Sequence, residues 1–272
     1  MEQGKFDLMK RLSLLLAAAG ALALGACQQA ANESAGAPND VKSAEAPQGA
    51  SEYDVVRSML ELANVGPNDL VVDLGSGDGR IPILAAREKG ARGMGVEIDQ
   101  RLIQQSNTNA REAGVADKVS FRQEDLFVTP LNDVTVLTVF LLPEINLQLR
   151  PKILLQMRPG SRVVSNTFDM GDWRPDARRE VGGTTILMWT VPARVEGRWR
   201  LTQGEASGEL ALTQRYQDLS GQAGGRDLGS PSLAGDRIAF TADLGQGARR
   251  FEGRVEGDRI VGDGWEAVRT GG

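Results

Sequence analysis

The sequence contains no histidine and only one cysteine, Cys27. Each of these facts excludes whole classes of catalytic and metal site. Without histidine there is no Ser-His-Asp or Cys-His nucleophile, no HExxH zinc site and no imidazole general base. One cysteine permits neither an intrachain disulfide nor a cysteine-cluster metal site. We therefore expect no metal among the site residues.

A surplus of basic charge is also missing. The chain of 272 residues carries 31 Lys and Arg against 36 Asp and Glu, a formal net charge of -5. This balance does not indicate a nucleic acid as the main partner, and we expect none. The length and an ordinary hydrophobic content of 41% fit one good-sized domain plus a smaller one.

The N-terminal apolar segment is too short to cross a bilayer comfortably, which needs about 20 residues. Lys10 and Arg11 precede the apolar residues 12–26, which end in Leu-Gly-Ala just before Cys27. This arrangement resembles a bacterial lipobox. The resemblance implies that residues 1–26 are a lipoprotein signal peptide and that Cys27 is the lipidation site. A plain signal peptide or a short anchor is the alternative, and Met9 is a second candidate start.

Residues 27–50 have almost no large apolar side chains and are rich in Ala, Ser, Gln, Asn, Pro and Gly. Such a segment cannot bury enough surface to fold, so it is predicted to be a disordered tether. Gln28, not an aspartate, follows the cysteine. By resemblance to Gram-negative lipoproteins, we expect a lipid anchor in the cell envelope, at the periplasmic face of the outer membrane. The chain would be cytoplasmic if the signal is not used.

Helical and strand patterns alternate from residue 51 to 183 and predict a doubly wound α/β sheet. The strands are expected at 70–74, 93–98, 119–121, 134–142 and 162–168. The helices are expected near 52–63, at 81–89, from a cap at Asp99 to Arg111, and from Pro151 to Met157.

The pattern changes at residue 184, where apolar residues begin to alternate with polar ones and glycine turns become frequent. This texture predicts a small all-β C-terminal domain over 184–272, an antiparallel meander or barrel. Residues 222–231 are expected to form a mobile loop.

A glycine-rich turn, Asp73-Leu-Gly-Ser-Gly-Asp-Gly79, follows the first strand. The third glycine of the NAD fingerprint would fall at position 80, which is Arg80, so that register fails. The turn resembles motif I of class I S-adenosylmethionine-dependent methyltransferases. A pyrophosphate needs bare amides at a helix N-terminus, whereas S-adenosylmethionine carries an ammonium and a sulfonium, which acidic groups favour. The candidate cofactor-binding residues here are Asp73, Gly75, Ser76, Gly77 and Gly79.

Two further acids follow the next two strands. Glu97 ends the second strand, and an acid there can accept both ribose hydroxyls. Asp125 matches the family position that hydrogen-bonds the adenine amino group. The carboxyl ends of parallel strands form the edge where ligands bind, so we expect S-adenosylmethionine to contact Asp73, Glu97 and Asp125 together.

The segment from LLPEINLQLRP to FDMGDW, taken with DLGSGDGRI and GVEID, narrows the resemblance. It is similar to small bacterial and mitochondrial lysine methyltransferases that modify the ATP synthase c-subunit and the adenine nucleotide translocase. This similarity covers roughly Tyr53 to Trp173 and implies a protein lysine as substrate. The family's Val-Pro-Thr-Pro-like segment is replaced by Ala50-Ser-Glu-Tyr53.

Glu144 and Asn146 are the candidate catalytic residues for direct in-line transfer. Glu144 could orient the lysine amine or attract its charged form, and Asn146 could offer a carbonyl acceptor. A plain helix N-terminal charge is the alternative for Glu144. Asp169 is a second candidate, although a turn-forming role suits it better.

Two other functions remain open. An envelope binding lipoprotein on a methyltransferase fold without turnover would explain the lipobox, because S-adenosylmethionine is not expected outside the cytoplasm. An aminopropyltransferase shares the fold, but it needs carboxylates beside a polyamine, and the apolar segment from Phe140 to Pro143 offers few.

Overall fold

The computed structural model describes residues 52–271, so the predicted signal peptide, the tether and Cys27 lie outside the described residues. Two sheets organise this part of the chain, one of seven strands and one of nine. No helix within it is long and apolar enough to cross a membrane.

The first sheet confirms the doubly wound α/β prediction. Its strand order is β3-β2-β1-β4-β5-β7-β6. The first five strands are parallel, and β7 runs antiparallel to both β5 and β6. The strands are β1 Leu70–Leu74, β2 Arg92–Glu97, β3 Val119–Gln123, β4 Val136–Val139, β5 Arg162–Asn166, β6 Ala177–Val181 and β7 Thr184–Thr190. The helices are α1 Glu52–Leu62, α2 Arg80–Lys89, α3 Gln100–Glu112 and α4 Pro143–Gln156.

Both faces of this sheet are covered, and its central strands are therefore continuous apolar runs. Val71 of β1 belongs to the cluster under α1 and α2, whereas the next residue, Val72, belongs to the cluster under α4. As predicted, Asp99 caps α3, and its carboxylate accepts a hydrogen bond from Arg101 N at 2.8 Å. The sheet therefore presents the carboxyl ends of β1 to β5 along one edge.

The prediction for the helix after β4 was wrong. Pro151 was expected to open it, but Pro143 opens α4 and Pro151 lies inside the helix. The strand predicted through Leu142 ends at Val139 instead. Pro151 costs one backbone hydrogen bond, yet the helix continues because the buried Leu149 and Ile153 on either side pack into the core.

Residue 184, the predicted domain boundary, is the first residue of a strand of the first sheet. Strand β7, Thr184–Thr190, pairs with β5 and β6 and therefore belongs to the first sheet. An antiparallel strand at the edge of an α/β sheet has the same two-residue alternation as a meander, so the sequence pattern did not separate them. The strands of the second sheet begin at Gly197.

The second sheet confirms the all-β prediction for the C-terminal domain. All its pairings are antiparallel, in the order β11-β10-β9-β8-β16-β15-β14-β13-β12, and its two ends meet where β10 contacts β12, which makes it nearly a barrel. The strands are β8 Gly197–Gln203, β9 Ala206–Arg215, β10 Asp218–Ala223, β11 Arg226–Asp227, β12 Gly229–Ala234, β13 Arg237–Asp243, β14 Ala248–Glu256, β15 Arg259–Gly262 and β16 Trp265–Gly271.

The loop predicted at 222–231 is ordered into strands. Gly224 and Gly225 both have positive φ, 56° and 78°, and join β10 to β11 as a two-residue hairpin turn. This is the glycine pair that such primed turns favour.

Gly235, in the turn between β12 and β13, lies where the second domain contacts the first. Its φ is +60°, and a Cβ there would lie 2.9 Å from Gly160 Cα of the first domain. Gly204 has φ +58° with nothing within 4 Å of such a Cβ. Gly204→Ala should cost about 1 kcal/mol for the left-handed backbone, and Gly235→Ala at least about 2 kcal/mol because the clash adds to it.

Urea unfolding of both variants measures these losses of unfolding free energy. Equal losses would show that Gly235 does not hold the domains in contact.

Candidate functional site

The glycine loop between β1 and α2 is tied to the end of β2 through its backbone. Gly75 N and Ser76 N donate to Val96 O at 2.8 and 3.0 Å, and Gly77 N donates to Glu97 Oε2 at 3.1 Å. Gly75, Gly77 and Gly79 all have positive φ, 79°, 54° and 80°. Residues with a side chain rarely adopt a positive φ, so the shape of the loop requires glycine at these three positions.

The loop is closely packed on one side and open on the other. A Cβ on Gly79 would lie 2.6 Å from the Phe121 ring, and one on Gly95 would lie 2.5 Å from both Ser76 Oγ and Phe121. A Cβ on Gly77 would meet nothing within 4 Å. The open side is a cradle of bare backbone, which fits a ligand lying across it.

Asp73 is almost fully buried beneath the loop. Thr138, its register partner on β4, donates a hydrogen bond from Oγ1 to Asp73 Oδ1 at 2.7 Å. Burial raises the pKa of Asp73 to about 7; the Thr138 hydrogen bond opposes this, and the nearby Glu97 and Asp78 carboxylates add to it. Asp73 is therefore a carboxylate that a cationic ligand would stabilise.

Glu97 is buried, and its carboxylate already binds three backbone amides. Oε1 accepts from Ile98 N at 2.8 Å and Asp99 N at 3.0 Å, and Oε2 accepts from Gly77 N. A carboxylate has about four lone-pair positions, so one acceptor position remains, on Oε2. Accepting both ribose hydroxyls, as predicted from the sequence, would require one backbone donor to leave.

Asp125 lies half-buried after β3, on the same edge of the sheet. Its Oδ1 accepts from Phe127 N at 2.8 Å, and Lys152 Nζ of α4 donates to Phe127 O at 2.6 Å. Burial lowers the pKa of Lys152, against the opposing charges of Asp125 and Glu124. Helix α4 therefore contacts the loop that carries the third acid, whose contact with adenine stays a prediction.

Asn146 is fully buried in the first turns of α4. Its Nδ2 donates to Asp169 O at 3.2 Å and Phe168 O at 3.4 Å, which fixes the orientation of the amide. Oδ1 is buried and has no hydrogen-bond partner within residues 52–271. Buried polar atoms are rarely left unpaired, so this oxygen is a candidate acceptor for a hydrogen bond from a ligand.

The backbone beside Asn146 is strained. Phe168 N donates to Asn166 O at 2.9 Å and closes a three-residue γ-turn on Thr167, whose φ is +71°. A β-branched residue is rarely found there. Such strain gathers at functional sites, and this turn follows β5 at the ligand-binding edge.

The two acidic candidates near Asn146, Glu144 and Asp169, are not buried as Asn146 is. Glu144 is exposed in the first turn of α4. Among the residues that the structure describes, it forms no hydrogen bond or ion pair, so it is not grouped with Asn146. Asp169 Oδ1 accepts from Gly171 N at 3.0 Å, which is the turn-forming role expected from the sequence.

Several residues that hold the loop escaped the sequence reasoning. Ser106 Oγ donates to Gly77 O and Asn109 Nδ2 donates to Asp78 O, both at 2.9 Å. They lie three residues apart on α3, and this spacing of short polar residues on a buried helix face was the available signal. The first turn of α1 also reaches the loop, because Arg80 pairs with both Asp78 and Glu52.

Comparison with known proteins agrees with this geometry. The profile of the family described as ANTKMT methyltransferase domain matches residues 73–177. A Saccharolobus islandicus protein-lysine N-methyltransferase is 41% identical over 122 residues, 44% of this chain and 76% of the relative. The adenine nucleotide translocase lysine N-methyltransferase of Mus musculus is 36% identical over 143 residues, 52% of this chain and 61% of the relative.

A solved structure is similar as well. It is described as an RNA methyltransferase from Salinibacter ruber in complex with S-adenosyl-L-homocysteine. It is 51% identical with a TM-score of 0.52, and the similarity covers 54% of this chain and 95% of the other.

The buried Asp73 predicts an unusual pH dependence of stability. Its pKa is raised from 3.8 to about 7 on folding, so between these values the folded chain binds the proton that the unfolded chain has lost. The unfolding free energy of wild type, relative to Asp73→Asn, should therefore fall as pH rises through this window, by about 4 kcal/mol in total.

Urea unfolding of both proteins at a series of pH values measures this difference. Thr138→Val should move the upper end of the window to higher pH, because it removes the hydrogen bond that lowers the Asp73 pKa. A wild-type difference that stays constant with pH would contradict the assignment.

Proposed function

Since the chain belongs to the ANTKMT methyltransferase family of S-adenosylmethionine-dependent enzymes, we propose that it methylates a lysine side chain of a protein. One observation carries this proposal. The matched region, residues 73–177, contains all the cofactor and acceptor candidates from Asp73 to Asn146. The binding lipoprotein without turnover is not favoured, because the matched relatives are methyltransferases.

The described residues fit S-adenosylmethionine, which when bound supplies a methyl group activated on a sulfonium. The open cradle at Gly77 admits a ligand against the bare backbone. Asp73, Glu97 and Asp125 place three carboxylates at this edge, and they would hold the cationic and hydroxyl groups. No phosphate is involved, which agrees with the absence of a dinucleotide motif.

Asn146 suits the acceptor side of the reaction. A lysine amine can attack only in its neutral form, and a desolvating pocket lowers the amine pKa. Asn146 Oδ1 is buried in this structure, so side chains around it would have to move for it to accept one N–H of the neutral amine and direct its lone pair. The exposed Glu144 would attract the charged form before it enters.

RNA is the second candidate acceptor, because the Salinibacter chain, 51% identical, is described as an RNA methyltransferase. Charge argues against it. Binding RNA depends on Lys and Arg that neutralise phosphates, and this chain has a formal net charge of -5.

Radiolabelled S-adenosylmethionine, incubated with the chain and with separate protein and RNA fractions of the source organism, decides between the acceptors. We expect label in protein, recovered as methyl-lysine after hydrolysis. Label in RNA alone would show the lysine proposal to be wrong.

The role of Asn146 is tested with Asn146→Leu, a change of similar volume. Loss of the carbonyl acceptor should lower the rate about 100-fold, while S-adenosylhomocysteine binding by calorimetry stays within about twofold. Gln148→Leu, on the exposed side of the same helix, is the matched control and should keep its activity. Equal effects of the two substitutions would remove Asn146 from the mechanism.

We also propose that Cys27 carries the lipid anchor, on the evidence of the lipobox-like residues before it. In cells fed labelled palmitate, the wild-type chain should take up label and fractionate with membranes. Cys27→Ser should be unlabelled and released. An unlabelled wild-type chain in the cytoplasmic fraction would exclude the anchor and place the enzyme beside its cofactor.

A further inference from the structure

The C-terminal domain contacts the segment that carries the acceptor side of the site. We call residues 168–173 the FDMGDW segment and residues 215–218, between β9 and β10, the β9–β10 turn. At one end of the segment, the Phe168 and Asp169 carbonyls accept from Asn146. At the other end, Asp172 and Trp173 meet the turn.

Asp172 joins three elements. Its carboxylate accepts from Arg215 Nη2 at 2.8 Å and from the Tyr216 hydroxyl at 2.9 Å, and it pairs with Arg150 of α4. Arg150 also donates to Met170 O at 2.7 Å. These hydrogen bonds, that from Arg215 first, lower the pKa of Asp172 to about 2, so the carboxylate is charged at neutral pH.

Trp173 completes the contact. It is fully buried, its Nε1 donates to Gln217 Oε1 at 3.1 Å, and its ring stacks on Tyr216 with centroids 6.0 Å apart. Tyr216 has φ +55°, a left-handed conformation that aromatic residues seldom adopt. The turn is therefore held in a strained shape that presents the Tyr216 side chain to the segment.

Helix α4 connects the two ends of the FDMGDW segment. Asn146 and Arg150 are four residues apart and lie on the same face of the helix. A Cβ on Gly171 would lie 2.7 Å from Leu147 Cδ2, so the segment packs against α4 between them. Moving Asp172 would therefore shift the carbonyls that orient the Asn146 amide.

The methyltransferase fold does not need the C-terminal domain to form. The similarity to the Salinibacter structure covers 95% of that chain but only 54% of this one. The family match ends at residue 177, before the C-terminal domain begins. What the added domain contacts is thus informative about what it does.

We propose that the β9–β10 turn is a positioning element for the acceptor site, in which Arg215 and Tyr216 act through Asp172 on the FDMGDW segment and so on Asn146. This inference rests on the proposed function, because it takes Asn146 to face the acceptor. Asp172 is 48% exposed and Arg215 72%, so the pair adds little to global stability. Positioning can therefore be separated from folding.

Three variants of the full chain test the proposal: Asp172→Asn, Tyr216→Phe and the two combined. The matched control is Asp218→Asn, which makes the same charge change in the same turn but pairs with Arg174. Hydrogen–deuterium exchange reports order in residues 166–173 and in the loop 75–80. Calorimetry gives S-adenosylhomocysteine affinity, and poly-L-lysine is the acceptor probe.

Asp172→Asn should speed exchange in 166–173 several-fold without changing residues 75–80 or S-adenosylhomocysteine affinity. The KM for poly-L-lysine should rise several-fold, because half-exposed pairs of this kind contribute up to about 1 kcal/mol. Tyr216→Phe should have a smaller effect, and the double variant should match Asp172→Asn because both act through one carboxylate. Asp218→Asn should resemble wild type.

Unchanged exchange in 166–173, an equal effect of Asp218→Asn, or additive effects in the double variant would overturn the proposal. A different result separates the two proposals. If wild type binds S-adenosylhomocysteine and Asp172→Asn shows the expected exchange pattern, but no lysine is methylated, then the lysine function fails while the positioning of the FDMGDW segment by the β9–β10 turn stands.

Discussion

The site depends on the hydrogen bonds that tie the glycine loop to the end of β2. Val96 O accepts from Gly75 N and Ser76 N, and the Glu97 carboxylate accepts from Gly77 N. These bonds hold Gly75 and Gly77 in conformations that only glycine adopts readily. The open side of the loop, at Gly77, lies at the edge of the sheet where the strand-end carboxylates are found.

Local patterns were enough to predict the parts of this arrangement that follow the chain. Asp73, Glu97 and Asp125 were found because each ends or follows a strand, and parallel strands share one ligand-binding edge. Thr138 was not found, because its bond to Asp73 needs β4 beside β1, a neighbour 65 residues away. The prediction that Pro151 opens the helix was wrong, because packing of the adjacent apolar residues outweighed the one backbone hydrogen bond that proline cannot donate.

Helix α4 connects the two halves of the reaction. On one side Lys152 holds the loop after Asp125, and on the other Asn146 and Arg150 hold the FDMGDW segment. None of this could be read from helix periodicity, since it depends on which loops lie on each flank of the helix. A single helix thus contacts both the loop after Asp125 and the FDMGDW segment, and the C-terminal domain reaches the same helix through Asp172.

The shared carboxylate of Glu97 has a consequence for turnover. Its last acceptor position can satisfy one ligand hydroxyl, and a second hydroxyl must displace a backbone amide. If Glu97 bonds both ribose hydroxyls, as the sequence predicts, then full ribose binding and the complete set of backbone hydrogen bonds to Glu97 would exclude each other. On release of such a nucleoside, the returning amide would replace one of the hydrogen bonds that Glu97 loses.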